Sequence, residues 1–183
     1  IFSHNWKPQE RLLLSVLITT GMRLSEAANL SWERFSEDHD GIQGMRCFSL
    51  LNTNDEIVAV KNKGSMRIIP LHPDLVLPPK GTGRLFDYKM NEDGLASLDA
   101  GRAINPTLQK LVPHPQKMAH SFRGTLKELL RDAGVSKEIS DFYTGHSSGD
   151  VAGTSYGGVG VDTRYNEISK VRHPWLKYKS LID

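Results

Sequence analysis

Two changes of apolar period along the 183 residues restrict what this chain can fold into. Leu12, Leu13, Val16 and Leu17 recur at helical spacing behind Pro8, and Gly21 stops them. A second short helix is expected next, capped by Ser25, with Ala27, Ala28 and Leu30 on its inner face. Then the period shortens. Residues 45–51, 57–60 and 67–71 read as strands. The last two are joined by the turn Lys61-Asn62-Lys63-Gly64-Ser65, where Asn and Gly supply positive φ. Residues 72–91 are rich in Pro and Gly and read as a loop. A helical period returns near Leu95–Leu111. It is strongest between Ser121, a possible cap, and Gly134, with Phe122, Leu126, Leu129, Leu130 and Ala133 as its inner stripe. Ser136–Tyr143 and Asp162–Val171 read as shorter helices on either side of the Gly- and Ser-rich stretch Gly145–Gly160. The expected fold class is therefore mixed α+β, mainly α-helical, with one small three-stranded antiparallel sheet.

Length is that of one domain, residues 1–183. A single cysteine, Cys47, excludes an internal disulfide framework and any multi-Cys zinc site. No apolar run reaches the roughly 20 residues needed to span a bilayer, and the start carries no signal-peptide pattern, so a soluble, cytoplasmic protein without a membrane partner is expected. Ile1 is not an initiator Met, which reads as a fragment or a processed chain. The net charge of +2 conceals two opposed patches. Residues 26–56 hold seven acids against two bases, and residues 102–137 hold seven bases against two acids. The basic stretch suits a polyanion on one face; it equally suits an ordinary solvated helix surface.

Four segments carry residues with chemical use. In Thr20-Gly21-Met22-Arg23-Leu24-Ser25-Glu26, Arg23 lies at a helix–helix junction, and with Glu26 three residues on a structural ion pair is the favoured reading of this segment taken alone. On the hairpin turn, Lys61 or Lys63 can reach into a groove and give up a proton. His120 and Arg123 lie three apart at the start of the strongest helix, where the helix dipole adds to an anion site. In the fourth, Gly145-His146-Ser147-Ser148 is followed by Tyr156, ten positions after the histidine. Trp175, in the tail His173-Pro174-Trp175-Leu176, needs burial on its own domain or on a neighbour.

In this order the segments resemble the tyrosine recombinases, or phage integrases, over nearly the entire chain. Thr20–Glu26 is similar to the family's first arginine box, His120-Ser121-Phe122-Arg123 to its His-x-x-Arg box, and Gly145-His146 to its Gly-His box. The resemblance implies a helical catalytic domain of the DNA breaking-rejoining type. Arg23 and Arg123 would clamp the phosphate, Tyr156 would be the nucleophile, Lys61 the general acid, and His120 and His146 would handle protons and hydrogen bonds. Glu26 would order Arg23 without reacting itself. Counting back from Arg67 through Ser65 puts the family's hairpin lysine on Lys61, with Asn62 where Thr is common; Lys63 remains a second choice. Tyr143 and Tyr165 are less well spaced from His146 than Tyr156.

The implied reaction is cleavage and rejoining of DNA through a 3′-phosphotyrosyl bond. That covalent intermediate keeps the phosphodiester energy, so no ATP is needed. Two always-protonated arginines meet the charge that gathers on the phosphate oxygens, and no cofactor or metal is expected. The implied partners are double-stranded DNA (attachment sites and a Holliday junction), three further copies in a homotetramer, and directionality or bending proteins. The setting would be a bacterial nucleoid or a phage-infected cell. By the same resemblance the family's N-terminal DNA-binding domains are expected to be absent from this chain, and Asp162–Asp183 is a candidate for docking on a neighbouring subunit. Relaxation of supercoils by a type IB topoisomerase, and a non-catalytic DNA-binding module, are the alternative functions.

Overall fold

The structure is a computed structural model and describes residues 1–52, 65–114, 117–145 and 159–177. Helix α1, Pro8–Thr20, begins on a proline whose missing N–H costs nothing at that position. Glu10 reaches back to the Lys7 N–H at 3.3 Å. From Val16 to Thr20 every residue of α1 is buried, and the Thr19 and Thr20 hydroxyls return to Ser15 and Val16 carbonyls rather than seek water. Gly21 closes it at φ +61, where an added Cβ would lie 2.9 Å from a Leu126 methyl.

Helix α2, Leu24–Ala28, corrects the expected cap. Ser25 lies inside the helix; Arg23 is the N-cap, and the Glu26 carboxylate takes its backbone N–H at 2.9 Å. A carboxylate at the third position satisfies the free N–H of the cap residue and places negative charge at the positive end of the helix.

The sheet has three antiparallel strands in the order β1 (Phe35–Ser36), β2 (Cys47–Ser49), β3 (Ile68–Pro70). Phe48 pairs with Phe35 on one side and Ile69 on the other. Among the described residues the sheet is three-stranded and antiparallel, as expected, but its strands are not the three expected ones. The edge strand β1 is two residues long, too short to show any alternation, and the expected strand 57–60 lies outside the described residues.

Helices α3 (Ser97–Leu111), α4 (Ser121–Asp132) and α5 (Lys137–Thr144) follow. Ser121 is the first residue of α4 and not its cap, which is His120; the Ser121 hydroxyl accepts the Met118 N–H at 3.3 Å. The buried stripe of α4 is Phe122, Arg123, Leu126 and Leu130, while Leu129 and Ala133 are only partly covered. In α5 the Ser136 hydroxyl caps the start and Gly145, at φ +56, the end. Leu13, Leu17, Phe48, Ile69, Leu126 and Tyr143 meet in one core between the helices and the sheet.

Helix α6, Val161–Ile168, packs on β3 and buries Ile168. The chain then turns through Val171 and His173 so that Trp175 stacks on Phe2, ring centroids 5.8 Å apart and planes at 11°. Through residue 177 this segment lies on its own chain. Among the described residues no helix is long and apolar enough to cross a membrane.

Candidate functional site

Three guanidiniums and one carboxylate come together where α1 ends, α2 begins and α5 stops. Glu26 is the hub, with its side chain entirely out of solvent. Its Oε1 accepts from Arg23 Nη1 at 2.7 Å, and its Oε2 accepts from Arg67 Nη2 at 3.0 Å. Arg67 Nη1 donates to the Ser65 carbonyl at 2.7 Å, and the Ser65 hydroxyl accepts from Arg23 Nη1, also at 2.7 Å. Both hydrogens of Arg23 Nη1 are thereby used, while Nη2 faces the Gly145 carbonyl at 3.5 Å.

Arg123 enters from α4. Its Nη1 donates to the Gly21 carbonyl at 2.6 Å and its Nη2 to the Thr144 carbonyl. These are the carbonyls exposed where α1 and α5 end, which helix geometry leaves without partners of their own. One guanidinium therefore joins two helix C-termini, and each Nη keeps a second hydrogen for another acceptor. Arg23 and Arg123, exactly 100 positions apart in sequence, thus reach the neighbouring carbonyls of Gly145 and Thr144.

Electrostatics decide the charge states. Burial works to raise the Glu26 carboxyl, yet the Arg67 charge and hydrogen bonds from Arg67 and Arg23 outweigh it, so Glu26 lies below the ordinary carboxylate range. Burial first, and the adjacent Arg23 charge second, bring Arg123 down to about 10, still protonated at neutral pH. Three positive groups against one negative leave the cluster with surplus positive charge, which favours an anion over a cation or a neutral ligand.

Gly145 matters sterically. A Cβ there would lie 2.9 Å from Arg67 Nη1, so a side chain at this position would push into the guanidinium cluster.

Among the sequence-predicted site residues, Arg23 and Arg123 are brought together, and Glu26 orders Arg23. His120 lies at the cap of α4 and is exposed, whereas Arg123, three residues on, is buried. Lys61, Lys63, His146 and Tyr156 lie outside the described residues. Tyr143 is fully buried with its hydroxyl donating toward the Arg164 carbonyl at 3.2 Å, and burial raises its phenol well above the usual value. A phenol so enclosed cannot reach an external phosphate.

The sequence reading missed Arg67 as a member of the site. Its signal was the Ser65-x-Arg67 spacing, used there only to count back to Lys61. Among the described residues, no group of three or more His, Cys, Asp or Glu side chains could hold a metal ion.

The chain matches no family model and no curated protein sequence. Its fold is that of phage and transposon integrases. The integrase from mycobacterium phage Brujita superposes with a TM-score of 0.62 at 15% identity, over 99% of this chain and 59% of that one. The Tn1549 transposon integrase bound to transposon right end DNA gives 0.51 at 19% identity, over 92% of this chain and 60% of that one. The same integrase on circular intermediate DNA gives 0.53 at 18%, over 92% and 61%. This chain therefore spans about three fifths of the length of the integrases that it matches.

Proposed function

We propose that this chain is the catalytic part of a tyrosine recombinase: a site-specific integrase that cuts double-stranded DNA, holds it through a 3′-phosphotyrosyl bond and rejoins it to integrate or excise a mobile element. The observation that carries the reading is the meeting of Arg23 and Arg123 beside Gly145 in an integrase fold, with surplus positive charge around a buried carboxylate. Two sequence-distant guanidiniums so arranged suit the non-bridging oxygens of a phosphodiester, which gather charge as a nucleophile attacks.

The remaining roles follow from motif order. Tyr156 attacks phosphorus in line and releases a 5′-hydroxyl, losing a proton that a free phenol would hold up to a pKa of about 10. Lys61, with Lys63 as the other choice, protonates the leaving oxygen. His120 and His146 donate hydrogen bonds and manage protons at the phosphate. Preorganised donors of this kind are worth about 3–4 kcal/mol each to the transition state. Duplex DNA is the partner, in a tetramer of four chains on two duplexes, and the outer face of Asp162–Asp183, whose inner face packs on its own chain through Trp175, is the segment for contact with a neighbouring subunit. Phosphate contacts dominate binding, which therefore weakens steeply with salt.

The test is a pool of nicked duplexes of randomised sequence, incubated with the chain and then denatured. A protein–DNA adduct that vanishes in Tyr156→Phe supports the reading. An adduct that survives that substitution removes Tyr156 as nucleophile, and relaxed plasmid without recombinant joints would assign a topoisomerase instead.

A further inference from the structure

We infer that Arg67 is a positioning residue that neutralises Glu26 and thereby leaves the charge of Arg23 available to a bound anion. The inference rests on the reading of this cluster as a phosphate site, and it adds a residue to which no role in the reaction has been given.

Glu26 carries one negative charge and receives two guanidiniums, Arg23 at 2.7 Å and Arg67 at 3.0 Å. One carboxylate balances one of them. Arg67 has 1% of its side chain exposed, Arg23 19%. A cation sealed from water needs its counter-charge more than one that water still reaches, because hydration offsets the cost of charge. The carboxylate therefore balances Arg67. Arg23 is left as net charge beside Arg123, and an anion arriving at the cluster meets two cations instead of one.

The surrounding bonds hold Arg67 to this task. Its Nη1 donates to the Ser65 carbonyl at 2.7 Å, while the hydroxyl of the same serine takes Arg23. One residue thus fixes the spacing of both guanidiniums. Arg67 also packs against Gly145, at a distance that admits no side chain there. Without the Arg67 charge, Glu26 has Arg23 alone; the pair becomes neutral and the anion loses one of its two attractions.

The test compares the wild-type chain with Arg67→Met, Arg67→Lys and the double variant Glu26→Gln/Arg67→Met, whose side chains approximate the originals in volume. Folding is followed by thermal melting. Inorganic phosphate is titrated against each protein while arginine side-chain nitrogen resonances are recorded, and adduct formation is measured on the nicked duplex pool. Arg67→Met is expected to weaken phosphate binding about tenfold, the effect of one lost charge at short range in a polar medium. Adduct formation should slow about 10²-fold, as when one preorganised donor is removed. Arg67→Lys, which keeps the charge, should remain within about threefold of wild type in phosphate binding. The double variant should regain most phosphate binding, because the charge that captured Arg23 is gone.

A space-filling role for Arg67 predicts no gain in the double variant over Arg67→Met, and that result overturns the inference. Unchanged phosphate binding in folded Arg67→Met overturns it too. If Arg67→Met does not fold, Arg67→Lys decides: loss of phosphate binding there refutes a charge role, and retention supports it. If the wild type forms no adduct, the recombinase reading fails while the phosphate titration still judges Arg67.

Discussion

At Glu26 a carboxylate and Arg67 are buried as ions, with Arg23 only partly covered beside them, whereas at His72 and His173 two imidazoles are buried as neutral rings. The second pair seats the C-terminal segment. The rings meet edge to face, centroids 4.8 Å apart. His72 Nδ1 accepts the Asp74 N–H at 3.1 Å, which leaves Nε2 as the donor to the Val171 carbonyl at 2.9 Å. His173 has neither ring nitrogen bonded among the described residues. Burial, and then the neighbouring His72, push His173 down to about 4. Both regions remove ionisable groups from water at comparable depth. One retains charge because its carboxylate and guanidiniums pair with one another. The other discards charge, because it has only to close one part of the chain on another.

The sharpest way to break this contrast is to remove the hub. Glu26→Ala leaves Arg67 sealed without a counter-charge and should destabilise the fold by about 3–5 kcal/mol in denaturant titrations at neutral pH. A loss near 1 kcal/mol would mean that water reaches Arg67. Because the folded Glu26 carboxyl lies below its ordinary value of 4.5, its contribution is complete above that pH and fades as the pH falls through the folded value.

The neutral pair runs the other way in origin but to the same sign. His173 falls from its ordinary 6.5 to about 4, so the unfolded chain takes up a proton first. Stability is whole above 6.5 and declines between 6.5 and 4, by about 3 kcal/mol over the full interval. Urea unfolding of wild type and His173→Phe at the two ends of that interval should show the wild type losing more. Equal losses would place a proton on His173 in the folded protein.

The smallest effect belongs to the surface. Lys137 is 85% exposed and reaches Asp141 at 2.6 Å, while Lys127 holds the other oxygen at 2.8 Å. Lys137→Ala should change stability by less than about 0.5 kcal/mol in the same titration, since water screens exposed pairs. A cost of several kcal/mol there would erase the distinction between buried and exposed charge on which the comparison rests.

Much of this architecture was legible before any coordinates. Pro8 and Gly21 bracket α1 because a ring-locked φ suits a first turn and a left-handed residue suits an end. The α4 stripe and the Gly145 stop followed from the same local rules. The caps of α2 and α4 were misjudged for a local reason as well: Ser25 and Ser121 satisfy the compositional rule, but α2 begins at Leu24 with Arg23 as its cap, and Ser121 lies inside α4 and turns back to Met118. Strand β1 was invisible because a two-residue strand is made by its partner, Phe48 and Cys47, and by no pattern of its own.

For the site, order along the chain selected Arg23 and Arg123 and gave Glu26 as the partner of the first, but said nothing of how Arg123 would be held. A helical stripe containing an arginine reads as a helix with one misplaced residue. Only the ends of α1 and α5, brought beside it, provide the carbonyls that make a buried Arg123 stable. Arg67 and Glu26 lie 41 positions apart and share no local pattern. Trp175 announced a need for cover, and the cover turned out to be Phe2, at the opposite end of the chain.

By itself, then, the sequence determined what short-range sterics and periodicity can determine: the helices, their glycine stops, the presence of a small sheet, and the set of cations and tyrosines in its order. Tertiary structure alone decided which guanidinium is sealed and which still meets water, which carboxylate they share, and which imidazoles lose their charge. Those properties depend on distance and dielectric between residues far apart in the chain, and neither quantity exists until the chain has folded.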